Sequence, residues 1–190
     1  MKSQKPQGGE MILNRIFEMP NIYTFKMPKL RKFVLDNCSG NCLNVFGGIV
    51  RLEKKGVNFV HNDLNYHLSP APDCSFDAME IDKHFPENSF DTIILDPPYS
   101  MYQAIHSYKG IKCQDITRVK DAVNRLLKVN GIIITLGWNS TGMCKNRGFV
   151  IENILLVNSG GSHNDIIIVV ERKIFEQKKL KAELKKLEEK

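Results

Sequence analysis

Residues 113–138, CQDITRVKDAVNRLLKVNGIIITLGW, decide the fold. Ile116, Val119, Val123, Leu126 and Leu127 recur at the spacing that gathers apolar side chains on one face of a helix. Asp115 or Thr117 can cap its first free N–H groups, and Gly131 can follow its end. The run GIIITLGW (131–138) then reads as a strand buried on both faces. Working upstream, DTIILD (91–96) is a second such run, so strand, helix and strand follow in order. CLNVF (42–46) and VNFVHND (57–63) add two more. This alternation predicts an α/β, doubly wound, mostly parallel sheet. Downstream, VIENILLV (150–157) and DIIIVVER (165–172) flank the glycine-rich connector NSGGSHN (158–164), which suits a hairpin. The sheet is therefore expected to end in antiparallel strands.

The flanks read differently. Residues 1–20 are expected to be a flexible lead-in, 21–174 a single domain, and 175–190 a charged terminal helix with Leu180, Leu184 and Leu187 at helical spacing. Hydrophobic residues make up 42% of the 190 and charged residues 25%, the balance of a soluble globular chain. No apolar run reaches the roughly 18 residues that span a membrane, and the basic start is not followed by a signal-peptide core. Five cysteines at irregular spacing argue for a reducing compartment, with the cytoplasm as the expected location. Cys38 and Cys42 lack a matching Cys or His pair, and the five histidines show no ligand spacing, so no metal is expected. The net charge of +6 suits a polyanionic partner, although no dense basic run accompanies it.

Chemistry concentrates where strands should end. In TIILDPPYS (92–100), Pro97 and Pro98 have no N–H to donate, so the strand must stop at Asp96. The outcome is a stiff projection carrying Asp96 and Tyr99 at the sheet edge where α/β folds bind ligands. After CLNVF come Gly47 and Gly48, and a helix is expected to follow; glycines at such a turn let a ligand approach the backbone, though they often serve only the turn. Asp63 ends the next strand and can accept from two ribose hydroxyls, or can cap a helix. In CSFDAMEI (74–81), Asp77 can reach an adenine amino group and Ala78 can offer its N–H to a ring nitrogen, though a surface acid would look the same. These features, in this order, lie along one crevice.

The set resembles the S-adenosylmethionine-dependent amino-methyltransferases of nucleic acids, the N6-adenine and N4-cytosine group. DPPY (96–99) looks like their catalytic motif, LNVFGG (43–48) their first cofactor motif with Asn44 in place of an acid, and NDLN (62–65) and DAMEI (77–81) their second and third. YTFKMPKL (23–30) is similar to their segment beside the cofactor's methionine end. LGWNSTGMCKNRGF (136–149) and NSGGSHNDIIIVVERK (158–173) resemble a small archaeal and phage branch of DNA methyltransferases. The resemblance covers roughly residues 20–173 and implies a class I, Rossmann-like methyltransferase fold. It implies S-adenosylmethionine contacts from Thr24, Phe25, Asn44, Phe46, Gly47, Gly48, Asp63, Leu64, Asp77, Ala78 and Asp96. It implies catalysis by Asp96, Pro97, Pro98 and Tyr99. By position, Lys145 and Arg147 lie beyond the fifth strand near the expected substrate mouth, where they can contact phosphate or stay a solvated loop, and Tyr102 can line the base channel or simply pack. The implied substrate is adenine N6 in DNA first. An RNA base is the first alternative, because the chain has no room for the separate target-recognition region of larger DNA members. A homo-oligomer or a recognition partner could supply that function. A protein glutamine amide, whose methyltransferases use Asn-Pro-Pro-Tyr, is disfavoured by Asp96. A non-catalytic subunit is disfavoured by the intact motifs.

Overall fold

The computed structural model describes residues 11–98, 115–161 and 164–175. Seven strands are described: β1 (Ile12–Phe17), β2 (Asn41–Asn44), β3 (Asn58–His61), β4 (Phe90–Leu95), β5 (Leu127–Gly137), β6 (Phe149–Asn158) and β7 (Ile166–Lys173). They form one sheet in the order β1-β6-β7-β5-β4-β2-β3. β3, β2, β4 and β5 run parallel, while β7 is antiparallel to both β5 and β6. The expected parallel sheet with a closing antiparallel hairpin is therefore present. The strand order turns back between β2 and β4, and their carboxyl ends open a crevice there.

Helix α1 (Pro28–Asp36) covers one face and α2 (Ile116–Leu126) the other. Strand alternation divides the core accordingly. Leu43, Ile93 and Ile133 pack with Val119, Val123 and Leu126 of α2. Ile94, Ile134, Leu155 and Ile168 pack with Leu30 and Val34 of α1. Asp115 caps α2 as expected, accepting from the N–H of Thr117 at 2.9 Å.

Three expectations are corrected. First, α2 ends at Leu126, and Leu127 begins β5 opposite Phe90 instead of continuing the helical face. The buried Lys173 ammonium takes the carbonyls of Asn124 at 2.6 Å and Leu127 at 2.7 Å, satisfying groups a longer helix would have used itself. Second, no helix follows Gly48: residues 45–57 are turns and irregular chain. Thirteen residues leave little length for a helix once the chain has turned twice, at Gly48 and Gly56, both with left-handed φ of +57° and +79°. Third, part of the expected lead-in is a strand. Ile12–Phe17 pair in parallel with β6 at the sheet's edge, and Asn14 bonds Asn153 across the pair at 2.9 Å. The expected terminal helix at 175–190 lies almost wholly outside the described residues.

Candidate active site

The carboxyl ends of β2 and β3 are laced together by two side chains. Asn62, 1% exposed, donates from Nδ2 to the carbonyls of Val45 and Phe76, both at 3.0 Å, and accepts the Phe76 N–H at 2.8 Å. It thereby holds the turn after β2 and the segment around Phe76 at fixed distance. Asp63 accepts from the Gly48 N–H on Oδ2 and from the Asn65 N–H on Oδ1, each at 2.9 Å. Gly47 donates to the Asn62 carbonyl at 2.7 Å, and a Cβ on Gly47 would stand 3.1 Å from that same oxygen. Among the described residues nothing lies within 4 Å of a Cβ built on Gly48, so this backbone is open on that side.

That space is a cleft in the crevice between β2 and β4. Phe46, Gly47 and Gly48 form one side, and Asp63 and Leu64 the next. Thr24 and Phe25, on a single 3₁₀ turn before α1, close another side, and Phe25 is rooted in the core. Ala78 and Phe76 also line it; Phe76 stacks on His84 with ring centroids 3.8 Å apart. Asp96 and Pro98 complete the cleft from the end of β4. Ten of the residues expected at the cofactor and catalytic site are thus brought together: Thr24, Phe25, Phe46, Gly47, Gly48, Asp63, Leu64, Ala78, Asp96 and Pro98.

The structure places others elsewhere. Asn44 is fully buried within the sheet, its Nδ2 3.4 Å from Nδ1 of His61, away from the cleft wall. Successive strand residues alternate faces, so with Leu43 and Val45 directed to the α2 side, Asn44 is directed to the other. Asp77 turns Oδ1 to the Met79 N–H at 2.9 Å, leaving Ala78 as the wall residue. Tyr99 and Tyr102 lie outside the described residues.

Beyond the proline pair lies a second cleft. Pro97 and Pro98 line it from the segment after β4, Thr135 and Gly137 from β5, and Lys120 from α2. Pro98 is shared by both clefts, so the Asp96–Pro98 segment stands as a partition. The loop at 139–144 closes the far side. It is held by Glu171, 1% exposed, which accepts the Met143 N–H at 2.6 Å, and by Lys120, which donates to the Gly142 carbonyl. Burial pushes the Glu171 carboxyl up to about 7, although the N–H groups of Met143 and Cys144 and the Lys120 charge pull the other way. Lys145 is exposed at the end of this loop. Arg147 is not: its side chain is 11% exposed, donating to Asp121 at 2.8 Å and to the Met143 carbonyl at 3.2 Å. Its charge is compensated inside the fold by Asp121, whereas Lys145 has no such burial.

Asn62, Phe76, Lys120, Trp138 and Glu171 are parts of the site that sequence reasoning did not single out. Asn62 adjoins the quoted acid and Trp138 adjoins a strand end, so both carried a positional signal. Glu171 and Lys120 carried none, because their role depends on a contact made across the sheet.

No family model matches the chain, and no curated protein matches its sequence. Solved structures do. TrmN from Thermus thermophilus is similar over 78% of the chain with a TM-score of 0.53 and 18% identity, and the chain spans about half of it, 49%. The 1,6-didemethyltoxoflavin-N1-methyltransferase of Burkholderia thailandensis, solved with 1,6-didemethyltoxoflavin and S-adenosylhomocysteine, gives 0.52 and 13%, covering 72% of each chain. A SAM-dependent methyltransferase from Methanosarcina mazei gives 0.54 and 10%, covering 76% of this chain and 98% of that one. The chain shares the class I methyltransferase fold with these proteins.

Proposed function

We propose that this chain is an S-adenosylmethionine-dependent methyltransferase acting on the exocyclic amino group of a nucleic-acid base, adenine N6 in DNA first. The observation that carries the reading is the partition: Asp96, Pro97 and Pro98 separate a glycine-edged, acid-clamped cleft from a second cleft open to an acceptor. The first cleft fits the cofactor. Gly48 leaves its backbone open on that side, and each Asp63 oxygen has accepted one N–H, which leaves lone pairs for two ribose hydroxyls. Ala78, Thr24 and Phe25 line the same cleft, which supports a reading in which the Ala78 N–H meets a ring nitrogen of adenine and Thr24 and Phe25 meet the methionine end. When bound, S-adenosylmethionine supplies an electrophilic methyl group on a positively charged sulfur.

The protein's task is then orientation. An amine on an aromatic base is a weak nucleophile because its lone pair is delocalised into the ring. The Asp96 carboxylate and the Pro97 carbonyl accept its two N–H hydrogens, turn the nitrogen towards tetrahedral geometry and direct its lone pair at the methyl carbon. The sulfur–carbon bond would break as the nitrogen–carbon bond forms, leaving a neutral thioether, and the surplus proton on the nitrogen would pass to Asp96 or water. The prolines fix the frame, since neither can rotate about φ. Lys145 and the net charge of +6 supply phosphate contacts that hold the polymer without reading its sequence.

Expression in a host lacking base methylation, followed by identification of modified bases in DNA and RNA, tests the reading. N6-methyladenine in DNA with wild type, and none with Asp96→Ala, is the expected result. Methylated RNA alone would move the substrate, and unmodified DNA and RNA would overturn the assignment.

A further inference from the structure

The loop at 139–144 is fastened more firmly than a surface turn requires. Glu171 lies in β7 between Ile133 of β5 and Ile151 of β6, and its buried carboxylate takes the N–H groups of Met143, at 2.6 Å, and Cys144. A Cβ on Gly142 would run into that carboxylate, and Gly142 has a left-handed φ of +52°. Cys144 has a φ of +71°, a conformation that a non-glycine residue keeps only where its surroundings fix it. Lys120 of α2 donates to the Gly142 carbonyl. Residues 142, 143 and 144 are thus each held, and the same loop lines the second cleft through Asn139, Thr141 and Gly142. Asn139 accepts the Thr141 N–H at 3.0 Å, so the turn also sets these two polar side chains. Holding a turn does not require an acid, and a buried carboxylate is costly. What it provides is two acceptor oxygens for adjacent N–H groups, bonds that strengthen when the acid is ionised.

Resting on the methyltransferase reading above, we propose that Glu171 is a positioning residue for the acceptor: it sets the wall of the second cleft formed by residues 139–142, and that wall holds the acceptor base more tightly when Glu171 is ionised. Among the described residues, Lys120 is the charged group that acts on it, and it favours the ionised form. Cys144 brings a thiol beside its N–H, Arg147 is paired with Asp121 and meets the Met143 carbonyl, and β5 and β6 present isoleucines. Burial raises the carboxyl to about 7, so the clamp tightens as pH rises through neutrality.

The test follows methyl transfer from pH 6 to 8, with S-adenosylmethionine saturating, to an adenine-containing single-stranded oligodeoxynucleotide, or to the matching oligoribonucleotide where only RNA is modified. In wild type, KM for the oligonucleotide should fall severalfold as pH rises. Glu171→Gln keeps the shape but sets an NH2 group against one of the two N–H groups. It should raise KM at pH 8 about tenfold, flatten the pH dependence and change kcat much less, with S-adenosylhomocysteine affinity by calorimetry at the wild-type level. Gly142→Ala, which displaces the same carboxylate, should raise KM likewise, and the double variant should be no worse than the poorer single one. A wild-type KM and pH profile in folded Glu171→Gln, or full additivity with Gly142→Ala, would overturn the clamp while leaving the methyltransferase reading in place. Equal losses in kcat and cofactor affinity, the mark of general loosening, would do the same. If circular dichroism shows both variants misfolded, the wild-type profile decides: a falling KM supports the clamp and a constant one overturns it. Absence of methyl transfer by wild type to DNA and RNA would overturn the function and the clamp together.

Discussion

Glu171→Gln should reshape the pH dependence of stability. The carboxyl sits on β7 behind the loop at 139–144, 1% exposed, and burial raises it from 4.5 to about 7. Between those values the folded protein keeps a proton that the unfolded chain releases. Stability from this group is therefore complete below pH 4.5 and lost as pH rises towards 7. A displacement of that size corresponds to about 3 kcal/mol at 1.36 kcal/mol per unit, approached with a slope of at most one proton. His61 acts oppositely in the same window. Burial, followed by the Arg51 charge, lowers it from 6.5, so its contribution is present above that value and lost as pH falls. The two partly cancel in wild type, which is why the difference between proteins is the quantity to measure. Urea unfolding of wild type and Glu171→Gln from pH 4.5 to 7.5 should give a stability difference that drifts by about 3 kcal/mol against wild type as pH rises. His61 contributes equally to both and drops out. A difference that stays flat across the range would refute a protonated, buried Glu171.

The other consequences concern the clefts directly. Asp63→Ala should weaken S-adenosylhomocysteine binding by roughly 1.5–3 kcal/mol in calorimetry, the scale of lost charge-assisted hydrogen bonds; unchanged affinity would move the nucleoside elsewhere. Asp96→Ala should lower methyl transfer roughly a hundredfold or more with product affinity little altered, and near wild-type turnover would dismiss the proposed amine geometry. Lys145→Ala should reduce the slope of log affinity against log salt by about 0.7–0.9 without changing which base is modified. A slope equal to wild type would show that this side chain does not touch phosphate.

What the sequence disclosed follows from how local each signal is. DTIILD and GIIITLGW were legible because a strand buried on both faces is apolar throughout, and α2 because its buried side chains keep strict helical spacing. β1 was hidden for the converse reason. Ile12, Leu13 and Phe17 are all more than half exposed, and the strand is held by its ladder to β6, which leaves no burial pattern in the sequence. The end of α2 was misplaced because Leu126 and Leu127 are both fully buried, one in the helix and one in the strand. Only Lys173, some fifty residues away in sequence, marks the boundary. Arg147 shows the same limit from the surface side: a basic residue in a loop reads as available charge until Asp121 is found beside it.

The two acids of the first cleft divide their work in a way that spacing could not reveal. Asp63 spends one lone pair of each oxygen on the backbone of Gly48 and Asn65, so the carboxylate that would hold a ribose also sets the position of the glycine turn. No helix follows Asp63, so its carboxylate bonds the glycine turn and the Asn65 N–H in place of capping a helix. Asp96 has a different setting, at the end of a strand and ahead of two residues that cannot join a ladder. It lines the first cleft while Pro97 lines the second and Pro98 both. Under the proposed function, a methyl group leaving one cleft for the other would pass this segment. Any flexibility there would change the distance between donor and acceptor, and two adjacent prolines remove the φ rotations through which that distance could drift. Under the proposed function, rigidity at this one point would let the two adjoining clefts share a reaction path.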